Sequence, residues 1–315
     1  MQGSKVAIIG LGEVGLCLAQ ALQAGGHALA LCAPRPGAAA QALAHASGSA
    51  LQATPGPWLA AVDWVLCCVP GAQALAVATQ AAPHLAPGAV WADLSTAPPE
   101  VKRQAAQALA AGPGAAAYVD VAIMGAVSLG GVRTPLLAAG PQAAALAALL
   151  QAAGGRVQCL EGGQPGQAMA LKLLRSGLTK GLEALAVELL TSAERQGLRE
   201  QLYTQLADID ETPLRDFLDM LVRTHVVHAR RRLQEVDDTA QALAAQGAPS
   251  QVLPGVARRF AQTVAALHTH PLPVAAPSAT QALAWLLATQ PALAAQASGS
   301  AAPAASPASA APMAD

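Results

Sequence analysis

A chain of 315 residues has material for two domains and a sizeable core. Its formal net charge of -1 weighs against a nucleic-acid or polyanion partner, and the basic cluster at 230–232 is answered by Glu235, Asp237 and Asp238. Five cysteines without CxxC spacing, and an N-terminal apolar run broken by glycines short of signal or membrane-span length, imply a cytoplasmic protein with no membrane segment.

Lys5–Ile9 (KVAII) reads as a short β-branched strand that runs into GLGEVG at 10–15. A helix, LCLAQALQA, follows and stops at Gly25 and Gly26, and a second strand is expected at Ala28–Cys32. This is the β-turn-helix-β unit of about 30 residues that a dinucleotide site requires. Gly10 permits the tight turn, Gly12 lets the backbone approach a pyrophosphate, and Gly15 allows the helix to pack close on the strand. Leu11, Glu13 and Val14 complete the turn, whose free amides and positive helix end face the phosphates. At the end of the second strand no acid is present to hold a ribose hydroxyl. Arg35 is the nearby charge, which favours NADP; NAD stays possible, with Arg35 then a solvent residue.

Residues 64–69 (WVLCCV) form a continuous apolar run, as a central parallel strand buried on both faces would, and Pro70 with Gly71 ends it. Such strand ends line a cofactor crevice, so the backbone of Val69 and Pro70 is a candidate contact. Another strand is expected at 89–93, and LSTAPPE places Ser95 and Thr96 ahead of a helix beginning near Pro98, as helix cap or as ligand contact. Residues 116–121 (AAYVDV) lead into AIMGAVSLGGVRTPLLAAG, a glycine-rich loop followed by a short strand from Leu136 and a helix at 141–153.

Beyond residue 166 charge is about twice as dense, and the chain divides into domains at 1–164 and 165–290 with a low-complexity tail at 291–315 expected to be disordered. A long helix at 166–188 carries Lys172, Ser176, Thr179, Lys180 and Glu183 on one face. Lys172 is either a proton-transfer amine shielded by its apolar neighbours or an ordinary surface lysine. Thr212 and Pro213 read as N-cap and first residue of the next helix, which bears His225 and His228; with no carboxylate set beside them, no metal site is expected. Further helices are expected at 249–267 and 279–289.

The order of these motifs resembles the β-hydroxyacid dehydrogenase family, which contains 3-hydroxyisobutyrate and 6-phosphogluconate dehydrogenases. GLGEVGLCLAQALQAGGH is similar to its cofactor fingerprint, DLSTAPP to its strand-end Ser-Thr motif, DVAIMGAVSLGGVRTPL to its substrate loop, and GQPGQAMALKLLRS to its catalytic-lysine segment. The resemblance implies an α/β fold, in which an N-terminal Rossmann-type doubly wound parallel sheet is joined by a long helix to an all-α domain that makes a homodimer. It implies hydride transfer between a nicotinamide cofactor and the hydroxyl carbon of a β-hydroxyacid-like small molecule. Lys172 is then the general acid/base and Ser176 a hydrogen-bond donor to the substrate oxygen, while Met124, Gly125 and Ala126 face substrate and Arg175 faces either the substrate cleft or solvent. Arg175 and Lys180 are expected to depress the Lys172 pKa. Met124 replaces the loop serine of the better-known relatives, Ser176 replaces their asparagine, and their Lys-Asp-Leu motif has no clear copy, Gln234 and Glu235 lying nearest its place. These departures match a subgroup with a C-terminal domain of unknown function. An imine reductase on the same scaffold and a non-catalytic NAD(P)-binding regulator are the alternatives.

Overall fold

A computed structural model describes residues 3–289, so the expected disordered tail lies outside the described residues. One compact unit ends at Lys180 and a second begins at Gly181.

In the first unit, strands β1 (Lys5–Ile9), β2 (Ala28–Cys32), β3 (Leu51–Gln52), β4 (Trp64–Cys67), β5 (Val90–Asp93), β6 (Ala117–Ile123), β7 (Pro135–Ala139) and β8 (Arg156–Cys159) form one sheet in the order β3-β2-β1-β4-β5-β6-β7-β8. All neighbours are parallel except β6 and β7. The central strands are apolar apart from Lys5, Asp93 and Asp120, because helices cover both faces. On one side Ile8, Leu66 and Val119 pack under α1 (Glu13–Ala24), α2 (Ala38–Ser47) and α6 (Ala143–Ala152), through Leu18, Leu22, Leu43 and Leu146. On the other, Ile9, Val65 and the fully buried Trp91 pack against α3 (Ala74–Ala81) and α4 (Pro99–Ala110), through Ala78, Ala105 and Leu109. The strand order reverses between β1 and β4, and in open α/β sheets ligands bind at that switch point, beyond the strand C-termini.

Several boundaries differ from those read in the sequence. α1 starts at Glu13, inside the glycine turn, and β4 stops at Cys67. β7 pairs antiparallel with β6, and a short helix α5 (Val127–Gly130) sits in the loop between them.

Helix α7 (Gln167–Arg195) runs a turn and more past its expected end and passes from the first unit into the second. The second unit continues with α8 (Arg199–Gln205), α9 (Ala207–Asp210), α10 (Leu214–Ala245), α11 (Leu253–Thr269) and α12 (Ala279–Thr289). Val226, Ala282 and Trp285 make its small core, and the Trp285 indole N–H donates to the His270 carbonyl at 3.1 Å. Glu188 caps α11: its carboxylate accepts from the Ser250 hydroxyl, from Gln251 N at 2.8 Å and from Val252 N at 3.4 Å. Thr212 does not cap α10. Its hydroxyl donates back to the Asp208 carbonyl at 2.9 Å, closing the preceding turn, and Pro213 takes the cap position. Among the described residues no helix is long and apolar enough to cross a membrane.

Candidate functional site

The turn after β1 is built by backbone contacts that a side chain would break. Gly10 has φ +95°, and a Cβ there would lie 2.6 Å from the Cys68 carbonyl oxygen. At Gly15 a Cβ would come within 1.9 Å of the Gly10 oxygen, so α1 sits as close to β1 as two backbones allow. Gly12 is different: nothing lies within 4 Å of its Cβ position. It caps α1 without any side-chain hydrogen bond, leaving the first-turn amides and positive helix end turned toward open space. A groove of about 670 Å³ opens there. It brings together Gly10, Leu11, Gly12 and Val14 from the turn, Arg35 after β2, Val69 and Pro70 after β4, and Ser95 and Thr96 after β5. Glu13 is exposed on the first turn, and Gly15 is buried beneath the groove as the packing glycine; neither lines it. These features fit a dinucleotide, whose diphosphate needs a backbone cradle and a helix N-terminus.

Sequence reasoning missed Thr54, Gln73 and Gln80 on the groove wall, which belong to no motif and arrive through β3 and α3. Cys32 and Cys68 also line it, but as neutral thiols: burial pushes Cys32 up to about 11 and raises Cys68 further, with Asp93 adding to the latter.

Below this groove, the end of β5 and the middle of β6 carry a buried ionic cluster. Asp93 and Asp120 are opposite one another in the strand register, and the Lys102 side chain of α4 reaches them from the face of the sheet. Lys102 Nζ donates to the Asp93 carbonyl at 2.8 Å and lies 2.8 Å from Asp120 Oδ1, an ion pair rather than an aligned hydrogen bond. Asp93 Oδ1 accepts from Ser95 N at 2.8 Å and Oδ2 from the Tyr118 hydroxyl at 2.6 Å. Asp120 Oδ2 accepts from Met169 N at 3.0 Å, in the first turn of α7. Each buried ion forfeits several kcal/mol of hydration, so such a cluster is not a source of stability by itself. Burial, with Asp93 beside it, raises the Tyr118 hydroxyl far above its ordinary range and keeps it a donor.

One turn beyond Met169 stands Lys172, half-buried, its pKa lowered first by desolvation and then by the Lys102 charge. The charge that acts is therefore Lys102, not the expected Arg175 and Lys180. Ser176, also half-buried, follows one turn later. Met124 closes the β6–β7 loop through its N–H to the Pro135 carbonyl at 2.8 Å. The loop is braced by the Thr134 hydroxyl on the Gly131 carbonyl at 2.8 Å. Gly125 packs on Thr134, and the carbonyl of Ala126 accepts from Leu129 and Gly130. Met124 and Arg175 line a second cavity of about 530 Å³, with Arg156, Gln151 and Gln158 on its walls. Lys172 and Ser176 line neither cavity. His225 is occupied structurally: its Nε2 bonds the Thr263 hydroxyl at 2.8 Å and its ring lies 4.7 Å from that of Phe260.

A glycine turn, an uncapped helix and a groove at the switch point of a doubly wound sheet define a Rossmann-type dinucleotide-binding protein. Residues 5–162 match the NAD binding domain of 6-phosphogluconate dehydrogenase, and the chain belongs to that family, whose members are NAD(P)-dependent oxidoreductases. Residues 193–263 match a domain of unknown function, DUF1932. A conserved hypothetical protein from Sinorhizobium meliloti is 31% identical, covering 92% of this chain and 97% of its own, with a TM-score of 0.59. The conserved protein MTH1747, whose structure was described as similar to 3-hydroxyacid dehydrogenases, is 28% identical over 82% of this chain and 96% of its own, at TM-score 0.57. An imine reductase from Aspergillus terreus in complex with NADPH4 shares the fold at TM-score 0.67, with 21% identity over 89% and 99% of the two chains. The chain also matches a 28.5 kDa protein of Methanothermus fervidus, 32% identical over 123 residues, and spans 45% of that relative's length.

Proposed function

We propose that the protein is an NADP-dependent oxidoreductase acting on the hydroxyl carbon of a β-hydroxyacid-like substrate, with Lys172 as general acid/base. The observation that carries this reading is the placement of Lys172: a half-buried amine with a lowered pKa, on a helix anchored to Asp120 of β6 beside the dinucleotide groove. The bound nicotinamide supplies the hydride acceptor, or in the reverse direction the donor. As the substrate carbon gives up hydrogen with its bonding electrons, neutral Lys172 takes the hydroxyl proton and the carbonyl forms. In reduction the protonated amine returns that proton to the forming alkoxide. Ser176, one turn along the same helix, donates a hydrogen bond to the same oxygen. Gly10, Leu11, Gly12, Glu13, Val14 and Gly15 hold the diphosphate through backbone or packing, with Val69, Pro70, Ser95 and Thr96 along the groove.

Arg35, exposed at the groove edge with no acid after β2, supports NADP over NAD through charge-assisted contact with a 2′-phosphate. Arg175 and the loop residues Met124, Gly125 and Ala126 are assigned to substrate. The thioether in place of a hydroxyl points to a substrate bulkier or more apolar than a plain small hydroxy acid. A homodimer through the helical domain is supported by the row of leucines that α7 leaves exposed in the single chain, Leu174 at 72% and Leu182 at 63%. Unpaired cysteines support a cytoplasmic location.

The purified protein is titrated with NADPH and NADH and then screened for cofactor-linked turnover on 3-hydroxy acids, sugar acids and aryl analogues, in wild type and Lys172→Ala. Loss of turnover with retained NADPH binding in Lys172→Ala is the expected result; turnover that survives refutes the mechanism. Cyclic imines belong in the same panel, because the fold is shared with imine reductases. Reduction of imines without oxidation of any alcohol establishes that second reading. NADPH binding with no turnover on the panel points instead to a non-catalytic regulator.

A further inference from the structure

Nothing in the hydride transfer itself requires a fully buried lysine, yet Lys102 is completely enclosed and is surrounded by groups of β5 and β6. Its ammonium is held by the Asp93 and Val121 carbonyls at 2.8 and 3.4 Å and by the Asp120 carboxylate. Each carboxylate also accepts from a backbone N–H of a different site element. Asp120 holds Met169, whose amide is one of those that a helix N-terminus leaves unpaired, and Asp93 holds Ser95 in the turn that lines the dinucleotide groove. The same turn is tightened by Ala97 N donating to the Ser95 hydroxyl at 3.2 Å. One cation therefore joins the segment that faces the cofactor groove to the helix that carries the proton-transfer amine.

We propose that Lys102 is a positioning residue for the reaction: through Asp120 it fixes the first turn of α7 and with it Lys172, and through Asp93 it fixes the Ser95 turn. The inference rests on the reading of Lys172 as acid/base. Lys102 sends its charge to Lys172 as well as its geometry, since it contributes to the lowered basicity of that amine. The elements packed beneath the start of α7 present Lys102 from α4, Asp93 from β5 and Asp120 from β6. Arg103 of α4, paired with Glu100, lies against Gly166. Along α7 itself Arg175 and Lys180 follow. Of these, Lys102 is the charge that acts on Lys172, and Asp120 is the opposite charge that binds both Lys102 and the helix start. Loss of the Lys102 charge is therefore expected to raise the Lys172 pKa, and loss of the Asp120 charge, which leaves Lys102 uncompensated, to lower it further. A cluster that stabilised the fold without electrostatic or positional coupling to Lys172 would leave its pKa unmoved.

The test needs no substrate. The chain has four lysines, Lys5, Lys102, Lys172 and Lys180, and the three that are not enclosed can be reductively methylated with carbon-13 formaldehyde. The Lys172 resonance is identified by its absence in Lys172→Arg and followed by NMR against pH in the full-length protein. Lys102→Met is expected to raise the Lys172 midpoint, and Asp120→Asn to lower it. Asn keeps an acceptor for Met169 N–H and is nearly isosteric, so its arm decides the matter if Lys102→Met fails to fold. Unmoved midpoints in folded variants, shown by circular dichroism and by retained NADPH binding, overturn the proposal whatever the substrate proves to be. Turnover surviving in Lys172→Ala defeats the acid/base reading on which it rests, a separate and distinguishable result.

Discussion

Substituting alanine at each of two glycines three residues apart separates folding from binding. At Gly15, inside α1, helix propensity alone favours alanine by about 1 kcal/mol. Against this stands a Cβ placed 1.9 Å from the Gly10 backbone oxygen, where real Cβ atoms essentially never come under 3.0 Å. A carbonyl in a tight turn cannot swing aside as a side chain would, so α1 must move outward by about 1 Å, lifting Leu18, Ala19 and Leu22 out of their packing on β1. A backbone clash this close falls at the upper end of the roughly 1–3 kcal/mol that overpacking costs, which leaves a net loss of about 2 kcal/mol once the propensity gain is subtracted. For a domain of this size the melting temperature then falls by roughly 4–8 °C. Gly12→Ala meets nothing within 4 Å and has a φ of -79°, so its effect on stability is limited to a poorer N-cap, about 1 kcal/mol or less. Its methyl group instead stands where the diphosphate must approach, and NADPH affinity is expected to fall by about tenfold or more. Urea denaturation and NADPH fluorescence titration on both variants make the comparison. A Gly15→Ala protein as stable as wild type would falsify the close-packing account, and equal stability losses at the two glycines would show that Gly12 is structural as well.

Arg35→Ser is expected to weaken NADPH by about 10–100-fold while leaving NADH within about twofold, the loss of one charge-assisted phosphate contact; equal effects on both cofactors would remove Arg35 from the 2′-phosphate. Glu188 is held below its ordinary pKa first by the Ser250 hydroxyl and then by the Gln251 and Val252 amides, with desolvation opposing them. A depressed carboxylate contributes stability that is complete above its ordinary value near 4.5 and is lost as pH falls through the folded value. Thermal melts of wild type and Glu188→Gln should therefore differ at pH 7 and converge in acid; a gap that persists at low pH contradicts the cap. A disulfide-exchange reagent should titrate Cys159, the exposed thiol, in the native protein, and all five cysteines only after unfolding. Rapid native reaction at Cys67 or Cys68, whose thiols burial keeps protonated, would refute that ordering.

The first βαβ unit was legible because every step of it is local: β-branched run, glycine turn, amphipathic helix and second strand lie within a few residues of one another. Lys172 was legible as an amine set in apolar surroundings. What perturbs it was not. Lys102 stands in PPEVKRQ, where a lysine beside an arginine and a glutamine reads as a solvated helix face; its burial is decided by carboxylates on two other strands. A signal did exist, since one apolar strand ends with Asp93 and the next holds Asp120 within it, and a carboxylate placed in a buried strand demands a cation or donors. The reversed direction of β7 was equally non-local, because PLLAA has the same composition whichever way it runs. β8 escaped notice as an exposed edge strand with polar residues in alternation. The groove residues Thr54, Gln73 and Gln80 have no pattern to betray them; they are assembled by the sheet order.

The antiparallel pairing of β6 with β7 also bears on how this chain can diversify. Because β7 returns beside β6, residues 124–134 form the tip of a hairpin latched at its base by Met124 and Pro135, not a crossover on which the next parallel strand depends. Exchanges at that tip leave the strand register, the glycine turn and the anchorage of α7 where they are. Under the proposed assignment of this loop to substrate, selection can thus rewrite what the protein recognises by editing one detachable segment, while the dinucleotide groove and the Lys172 helix are inherited unchanged.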